Sequence, residues 1–388
     1  MGVFFSKIPA SVPILMQMSE ESKFSITQVV LSLGAGGTER LVLDLCKGLQ
    51  PIANVQVLCL DELGVWAKEL VDAGIEVSCL GRKPGFDTSL VRRVREKLRA
   101  HGSQIVHCHH YTPYIYGCLG SLSGPRARVI YTEHGRLTQD PWTVKRRIAN
   151  AIFGRLPAKF FAVSENLREH MVDGGIPDSR VKVIYNGVVP GHAPTEAVRA
   201  TARHELGLEP NAFVLGTVAR LDPVKDLVTL LQAFAIVRES LPNGELVVVG
   251  DGSERGPLES LSHELGIAQH VHFLGHRDDA RALLAGCDTY VNCSITEGVS
   301  VTILEAMAAQ LPVVVTDVGG TPEVVEHDVT GLMVPARDPP ALANALLRIS
   351  ADRALHARLA SAARAHVIEH FATATMLANY LKIYGHTP

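Results

Sequence analysis

The chain has 388 residues, which at roughly 150 residues per domain is enough for two or three domains with cores of their own. Hydrophobic residues make up 47% and charged residues 20%, with 33 Gly and 21 Pro, and this composition excludes a disordered, collagen-like or coiled-coil protein. The 37 Lys and Arg against 40 Asp and Glu give a net charge of −3, which argues against a general nucleic-acid-binding surface. We therefore expect a folded protein with no nucleic-acid partner.

The first half of the chain alternates short apolar runs with amphipathic segments, a pattern that predicts successive βαβ units. A short, Pro-broken apolar run near the start favours a loose N-terminal tail, 1–24, over a signal peptide. Strands are then predicted at 26–33, 55–60, 76–80, 105–107, 129–132, 160–163 and 181–184.

The second half repeats the same alternation and ends in a helical segment. Strands are predicted at 213–219, 245–249, 271–274, 289–293, 312–316 and 332–334, and only helices after Pro339. Between the halves, 186–194 holds two Gly and two Pro, which is typical of a linker. We predict an α/β protein with Rossmann-like, doubly wound domains at 25–190 and 191–370, a closing helix at 371–388, and a cleft at the carboxyl ends of both sheets.

Cysteine usage indicates a reducing compartment. The seven cysteines are an odd number, form no C-x-x-C pair and lie mostly in apolar runs, so disulfides and structural zinc are not expected. No apolar stretch reaches the roughly 18 residues that a membrane helix needs. We expect a cytoplasmic protein.

A glycine-rich turn, Gly34-Ala-Gly-Gly-Thr-Glu-Arg40, follows the first strand and precedes a helix. Such a turn at a helix amino end lets a ligand approach unpaired backbone N–H groups. The turn lacks the G-x-G-x-x-G spacing of a dinucleotide fingerprint. Gly36 and Gly37 are therefore compatible with two interpretations, a tight structural turn and a ligand-binding loop.

Histidines cluster after two neighbouring strands of the first half. His107, His109 and His110 are close enough in sequence to suggest a metal site, but no carboxylate is expected nearby, so a polar rim to a cleft is favoured. His134, beside a glycine, is the better candidate for contact with a substrate. The alternative for each is a buried histidine with a structural role.

Two cations, Arg220 and Lys225, lie on one predicted strand-to-helix loop, with Lys225 expected to start the helix. Such a pair suits a diphosphate, whose charge must be compensated when it leaves. The alternative is a solvated charged loop.

The densest pattern is Thr296-Glu-Gly-Val-Ser-Val-Thr-Ile-Leu-Glu-Ala-Met307. Glu297 ends a strand loop, and 298–302 can offer backbone N–H groups at a helix start. Glu305 lies one turn further on, in an otherwise apolar stretch, where a carboxylate needs hydrogen-bonding partners such as the diol of a ribose. Solvent or a structural cation could serve Glu305 equally well.

This pattern resembles the signature of the retaining glycosyltransferase family 4. Glu297 and Glu305 are separated by seven residues, and Arg220 and Lys225 are similar to the upstream Arg/Lys pair of that family. Other segments in the family's order are the glycine loop, the strand end at His134, Val163-Ser-Glu, Tyr185-Asn-Gly-Val, Gly250-Asp-Gly, Phe273-Leu-Gly and Thr316-Asp-Val-Gly-Gly-Thr-Pro-Glu323. The resemblance spans about residues 25–385 and implies the GT-B fold.

The resemblance also implies roles. Glu305 would hold the nucleotide ribose, Arg220 and Lys225 the diphosphate, Glu297 the donor sugar, and His134 the donor sugar and phosphate from the other domain. Gly36 and Gly37 would close over the reaction centre, and Gly275 and His276 would lie beside the base. The remaining implied contacts with the donor are at Gly298, Val299, Ser300 and Val301.

The implied reaction is retaining and needs no metal ion, no PLP and no other cofactor besides the donor, a UDP- or GDP-sugar. No D-x-D triplet occurs in the sequence, so the Arg/Lys pair would take the place of a metal on the diphosphate. Many members of the family have Phe-Gly where this chain has Val299-Ser300, which leaves the donor sugar unassigned.

Positive charge concentrates in the first half. Residues 82–159 hold 15 Lys or Arg and four Asp or Glu, a net +11. The segments 90–99 and 142–159 are predicted to include cationic helices that could rest on an anionic membrane, or simply be solvated. Membrane contact predicts a lipid-linked or polysaccharide acceptor at the inner membrane face.

Two other functions are compatible with the motifs. A sugar-nucleotide epimerase could use the same paired-domain fold, although it would need further acid and base residues. A non-catalytic nucleotide-sugar-binding partner could retain the pocket, but the intact set Glu297, Glu305, Arg220 and Lys225 argues against it.

Overall fold

The computed structural model describes residues 23–122, 127–135, 142–156 and 158–386. The predicted tail, apart from its last two residues, lies outside the described residues, as does Pro157 within the basic segment 142–159. The chain forms two compact units. The first unit runs to Gly187 and includes the residues from Thr373 onward, and the second unit is Val188–Ala372.

The first unit is built on a parallel sheet of seven strands, in the order β3-β2-β1-β4-β5-β6-β7. Ile26 of β1 pairs with Val55 of β2 on one side and Ile105 of β4 on the other, so the strand order reverses between β1 and β4. The strands are β1 (Phe24–Val30), β2 (Ala53–Cys59), β3 (Glu76–Cys79), β4 (Ile105–His109), β5 (Arg128–Glu133), β6 (Ala158–Ala162) and β7 (Val181–Val183).

Three helices of the first unit, α3, α5 and α6, begin with a side chain that accepts a hydrogen bond from the first turn. Asp87 accepts a hydrogen bond from the backbone N–H of Leu90, and Ser164 accepts one from that of Leu167. These helices are α1 (Gly37–Leu49), α2 (Ala67–Asp72), α3 (Thr88–Ala100), α4 (Tyr111–Leu122), α5 (Val144–Phe153) and α6 (Glu165–Asp173).

The second unit contains a parallel sheet of six strands, in the order β10-β9-β8-β11-β12-β13. Its strand order reverses between β8 and β11, the position where doubly wound folds bind ligands. The strands are β8 (Phe213–Val218), β9 (Gly244–Val249), β10 (Val271–Phe273), β11 (Thr289–Asn292), β12 (Val313–Thr316) and β13 (Leu332–Val334). The helices are α7 (Glu196–Glu205), α8 (Leu227–Ser240), α9 (Arg255–Glu264), α10 (Ala280–Leu283), α11 (Val301–Ala308), α12 (Pro339–Ala351) and α13 (Arg353–His370).

The last helix, α14 (Thr373–Tyr384), belongs to the first unit. Tyr384 is fully buried there, and its hydroxyl hydrogen-bonds Nδ1 of His107 at 2.8 Å. A Cβ added to Gly48 of α1 would lie 2.9 Å from the Leu377 side chain, so the two helices pack closely. The sequence predicts this helix but not the unit against which it packs.

Both sheets are buried in the way that parallel sheets require. All four residues of β12 are buried, and so are all five of β4, because helices cover both faces. Each strand predicted from the sequence matches an observed one, and the prediction of an α/β protein with two parallel sheets is confirmed. In the described part of the chain, no helix combines the length and apolar character needed to cross a membrane.

Candidate functional site

Lys225 and Glu297 form an ion pair at the carboxyl edge of the second sheet. Nζ of Lys225 donates to Oε1 of Glu297 at 2.6 Å, and the two side chains are 21% and 10% exposed. The same carboxylate oxygen accepts from Oγ of Ser294 at 2.7 Å and from Nδ2 of Asn292 at 3.3 Å. Three hydrogen bonds to one oxygen hold the carboxylate in place and stabilise its negative charge.

The loops that carry this pair are held together by their backbones. The N–H of Ile295 donates to the carbonyl of Val224 at 2.9 Å, and the thiol of Cys293 lies 3.2 Å from the carbonyl oxygens of both Lys225 and Asp226. Lys225 ends a single 3-10 turn, and α8 begins only at Leu227. The expectation that Lys225 starts the helix is therefore wrong by two residues, because Asp226 adopts a left-handed conformation (φ 48°) that separates the turn from the helix.

A glycine pair braces the backbone of Glu297. The carbonyl of Glu297 accepts from the N–H of Gly320 at 3.1 Å. A Cβ added to Gly319, which has φ +55°, would lie 2.0 Å from that carbonyl oxygen, so only glycine fits here. Thr316 adds a bond from its hydroxyl to the carbonyl of Ser294 at 2.6 Å. Thus the segment 316–320, which the sequence supplied only as a family resemblance, holds the Glu297 loop in place.

Arg220 follows β8 and is largely exposed. Its Nε donates to Asp222 at 2.6 Å, and its side chain is 70% exposed. A guanidinium carries five N–H donors, so this single bond leaves others suited to a phosphate oxygen.

Two glycines after β9 support the loop that carries Arg220. A Cβ on Gly250 would lie 1.9 Å from the carbonyl oxygen of Ala219, and one on Gly252 would lie 2.3 Å from that of Leu221. Gly250 also donates its N–H to the carbonyl of Gly275 at 2.8 Å. The glycines of Gly250-Asp-Gly252 therefore allow close contact with the backbone of the Arg220 loop. The motif also connects this loop to Gly275, in the segment that the resemblance places beside the base.

The helix start predicted after Glu297 is confirmed. Ser300 is the N-cap residue of α11, and Gly298 and Val299 before it are buried, while Val301 is the first helical residue. Glu305 is half-buried on the second turn of α11, with buried neighbours on either side. His276, in contrast, is exposed and contacts Asp278 at 3.1 Å.

Gly36 and Gly37 lie at the start of α1 in the first unit. Gly36 is the N-cap in an extended conformation, and a Cβ there would lie 2.2 Å from Oε2 of Glu39. The loop before them packs against Gly64, which has φ +76°. A Cβ added to Gly64 would lie 2.2 Å from the carbonyl carbon of Leu33. Gly64 is distant in sequence and belongs to no motif, so no sequence pattern indicates its role.

The histidines after β4 and β5 form a buried network. His109 Nδ1 lies 2.9 Å from Nε2 of His134, and His110 Nδ1 lies 2.7 Å from Oε1 of Glu133. The expectation that no carboxylate stands near these histidines is thus wrong, because β4 and β5 are adjacent and bring Glu133 to His110. Among the described residues, no group of His, Cys, Asp and Glu has the arrangement of a metal site.

Burial sets the charge of these histidines. It holds the pKa of His109 and His134 well below the usual value, and neighbouring histidines lower both further. Burial also acts to lower the pKa of His110, but the hydrogen bond and charge of Glu133 outweigh it and raise the value. His134 is therefore neutral near pH 7, while His110 is the favoured site for a proton.

Two family models match this chain, one in each half. Residues 35–191 match the family described as Glycosyltransferase Family 4, and residues 198–366 match Glycosyl transferases group 1. A GDP-mannose-dependent alpha-(1-6)-phosphatidylinositol monomannoside mannosyltransferase of Mycobacterium tuberculosis is 32% identical over 286 residues, which cover 68% of this chain and 73% of that one. The chain belongs to glycosyltransferase family 4.

Two further comparisons cover more of this glycosyltransferase. An N-acetyl-alpha-D-glucosaminyl L-malate synthase of Bacillus anthracis is 28% identical over 309 residues, 78% of this chain and 79% of the relative. The crystal structure of HepE from Anabaena in complex with UDP and glucose is 25% identical, with a TM-score of 0.84 over 93% of this chain and 99% of HepE. The two parallel sheets with interleaved helices thus match the GT-B fold.

Proposed function

We propose that this glycosyltransferase moves a sugar from a nucleoside diphosphate sugar with retention of the anomeric configuration and without a metal ion. The observation that carries the proposal is the Lys225–Glu297 pair at the switch point of the second sheet. A cation and a fixed carboxylate side by side suit a reaction in which a diphosphate leaves and positive charge develops on the sugar.

The surroundings of Glu297 favour an electrostatic role over a nucleophilic one. Its Oε1 already accepts from Lys225, Ser294 and Asn292, and each donor lowers the tendency of that oxygen to attack carbon. Glu297 then positions the sugar and stabilises its developing positive charge, and the leaving phosphate guides the acceptor to the same face.

The cations on the loop after β8 supply the positive charge that a metal ion supplies in metal-dependent glycosyltransferases. Lys225 and the exposed guanidinium of Arg220 can neutralise the leaving diphosphate. Glu305, half-buried on α11, is proposed to accept hydrogen bonds from the ribose diol. The donor base is uracil or guanine, as HepE was crystallised with UDP and the mycobacterial relative is named as GDP-mannose-dependent.

We further propose that α5 contacts an anionic membrane that carries a lipid-linked acceptor. Val144, Ile148 and Ile152 recur every four residues along α5 and are 74%, 59% and 62% exposed. Exposed Lys145 and Arg147 lie on the same helix. An apolar stripe bordered by cations fits a surface of anionic headgroups over acyl chains, and the mycobacterial relative is named for a phosphatidylinositol acceptor.

The other basic segment, 90–99, offers a weaker case. In α3 the apolar residues Leu90, Val94 and Leu98 are all buried, so no apolar face remains for a bilayer. Arg93 is paired with Asp87 at 2.8 Å. We therefore place the proposed membrane contact on α5.

Proton NMR of slow donor hydrolysis tests the proposed reaction without knowledge of the acceptor. UDP-glucose, GDP-mannose and related α-linked donors are incubated with the protein in EDTA, and the free sugar is observed before it mutarotates. Retention predicts that the α anomer forms first. The β anomer first would contradict retention, and activity only with added metal would contradict metal independence. An epimer of the supplied nucleotide sugar, formed without an acceptor, would indicate the epimerase. No turnover of any donor, with or without acceptor lipids, would favour the non-catalytic alternative.

A further inference from the structure

The hydroxyl group of Tyr290 lies between two elements of the second unit that carry the proposed donor site. Tyr290 belongs to β11 and is fully buried. Its hydroxyl lies 2.7 Å from Oγ1 of Thr302, in the first turn of α11, and 3.3 Å from the carbonyl oxygen of Val218. Val218 ends β8, two residues before Arg220, and α11 follows the loop of Glu297. One side chain therefore contacts both the strand before the cations and the helix after the carboxylate.

Thr302 also contacts Ser300, the N-cap residue of α11. Oγ1 of Thr302 lies 3.1 Å from Oγ of Ser300. A carbonyl oxygen only accepts, so Tyr290 donates its proton to Val218. Thr302 then donates to Tyr290, and Ser300 donates to Thr302, which makes a relay of three hydroxyl groups. Burial raises the pKa of Tyr290, so its hydroxyl keeps the proton that it donates.

The hydroxyl relay turns Ser300 away from the usual role of an N-cap residue. A serine at this position ordinarily accepts a hydrogen bond from the second or third backbone N–H of its helix. The Ser300 side chain makes no such bond. Among the described residues, the N–H groups of Val301, Thr302 and Ile303 have no hydrogen-bond acceptor. The first turn of α11 can therefore donate hydrogen bonds to an anionic ligand.

We propose that Tyr290 and Thr302 are positioning residues that hold the Ser300 hydroxyl away from the amino end of α11, so that its N–H groups bind the diphosphate of the donor. This inference rests on the proposed function, in which the second unit binds a nucleoside diphosphate sugar. Without the relay, the Ser300 hydroxyl is free to rotate onto the N–H of Thr302 or Ile303. A phosphate oxygen would then have to displace it.

Amide hydrogen exchange, followed by NMR in the free protein, tests the positioning role by itself. Tyr290→Phe and Thr302→Val each remove one hydroxyl of the relay and nearly keep the shape of the side chain. Relative to the intrinsic rate of each amide, we expect the N–H groups of residues 302 and 303 to exchange about threefold to tenfold more slowly in both variants than in the wild type, the range of one capping hydrogen bond.

The Ser300 hydroxyl itself is the check on that result. Ser300→Ala added to Tyr290→Phe should restore the exchange rates of the wild type, because no side chain is left to cap the helix. Unchanged exchange in Tyr290→Phe and Thr302→Val would overturn the proposal, and so would slow exchange that persists without the Ser300 hydroxyl.

Calorimetric titration then tests the effect on the donor site. With UDP or GDP, whichever the wild type binds, Tyr290→Phe and Thr302→Val are expected to lower the affinity about threefold to tenfold, the range of one hydrogen bond. Ser300→Ala added to Tyr290→Phe should return the affinity to that of the wild type. A general loss of packing around Tyr290 would not be reversed by a second truncation.

Tyr114→Phe is the matched control. Tyr114 is also buried, at 1% exposure, and its hydroxyl donates to the carbonyl of Phe153 at 2.6 Å in the first unit. This variant should bind the nucleotide as the wild type does. Equal affinities in Tyr290→Phe and the wild type, or a loss that Ser300→Ala does not reverse, would refute the role in donor binding. If the wild type binds no nucleotide, the proposed function fails, while the exchange rates still decide whether Tyr290 and Thr302 position Ser300.

Discussion

The ammonium of Lys225 lies 2.6 Å from the carboxylate of Glu297, although the two residues are 72 positions apart in the chain. They come from loops after β8 and β11, the strands on either side of the reversal in the second sheet. The pair therefore unites the two groups that the proposed reaction needs, a cation for the leaving diphosphate and a carboxylate for the sugar.

Removal of the Lys225 charge should lower turnover more than nucleotide affinity. In Lys225→Met the diphosphate leaves without its cation, and we expect kcat to fall about tenfold to hundredfold, the range for a hydrogen bond to a charged group. The affinity for the nucleoside diphosphate, measured by calorimetry, should fall less. Lys47→Met removes a lysine that pairs with Glu69 at 2.5 Å in the first unit and should leave kcat unchanged. Equal losses of kcat and affinity in Lys225→Met would contradict this role.

Gly252→Ala should displace the loop that carries Arg220. The new Cβ would lie 2.3 Å from the carbonyl oxygen of Leu221, and this backbone contact can be relieved only if one of the loops moves. We expect a loss of about 1–3 kcal/mol in the free energy of unfolding, as for an overpacked site, together with reduced kcat.

Gly256→Ala is the matched control for that substitution. It lies four residues further on, within α9, and no atom would lie within 4 Å of its Cβ. Since alanine favours helices, the variant should be as stable as the wild type or more stable by up to about 1 kcal/mol. Equal urea denaturation midpoints for the two alanine variants would show that the contact between Gly252 and Leu221 does not constrain the loop.

The stability of the protein should fall as the pH drops below 6.5. Burial holds the pKa of His107, His109 and His134 well below 6.5, so these side chains take up protons in the unfolded chain before they do so in the folded one. His110 acts in the opposite direction, because its folded pKa is raised. The effect of His110 is confined to pH values above about 6.5, because below that value it is protonated in both states. Below pH 6.5 unfolding therefore takes up protons, and each proton taken up lowers the free energy of unfolding by about 1.4 kcal/mol per pH unit.

Urea denaturation at pH 7.5, 6.5 and 5.5 measures this dependence. His109→Gln should make it shallower, whereas substitution of the exposed His263 should leave it unchanged. A free energy of unfolding that stays constant down to pH 5.5 would be inconsistent with neutral buried histidines.

Replacement of the exposed apolar stripe on α5 should weaken membrane binding. Ile148→Ser with Ile152→Ser removes two side chains that are 59% and 62% exposed. Insertion of such a side chain contributes about 1.5–3 kcal/mol, so binding to vesicles of phosphatidylglycerol and phosphatidylethanolamine should fall at least about tenfold. Cosedimentation measures the bound fraction.

Val198→Ser controls for a general loss of surface hydrophobicity. Val198 is 49% exposed on α7 of the second unit, away from α5 in the chain. This variant should sediment with vesicles as the wild type does. Undiminished binding of the α5 double variant would show that the stripe does not contact the bilayer.

The sequence predicted the elements of the fold well because each depends on local patterning. Runs such as 313–316 and 246–249 are apolar enough to mark buried parallel strands without further information. The linker predicted at 186–194 includes Val188, the first residue of the second unit. The packing of α14 in the first unit was not predicted, because it depends on contacts such as that of Tyr384 with His107 across the whole chain.

The contacts among the candidate site residues depend on the fold and are not indicated by the sequence. Lys225 and Glu297 were selected for separate roles, and no sequence pattern indicates that they pair. No sequence pattern indicates the contact of Glu133 with His110, since it depends on the register of β4 and β5. Gly64 illustrates the same limit, because its close approach to Leu33 follows from the packing of two loops.

Calorimetric titration with UDP, GDP and ADP in EDTA tests the central claim, that the second unit binds a nucleoside diphosphate sugar without metal. The account predicts that UDP or GDP binds selectively. It also predicts that Glu305→Ala lowers this affinity about tenfold to hundredfold, as expected when a charged acceptor of hydrogen bonds is lost. Glu245→Ala is the control, because it removes a carboxylate of β9 that contacts only His270 and His272 in the hydrogen bonds described for it. This variant should bind the nucleotide as the wild type does. Absence of binding by all three nucleotides, or equal affinity in Glu305→Ala and the wild type, would contradict the account.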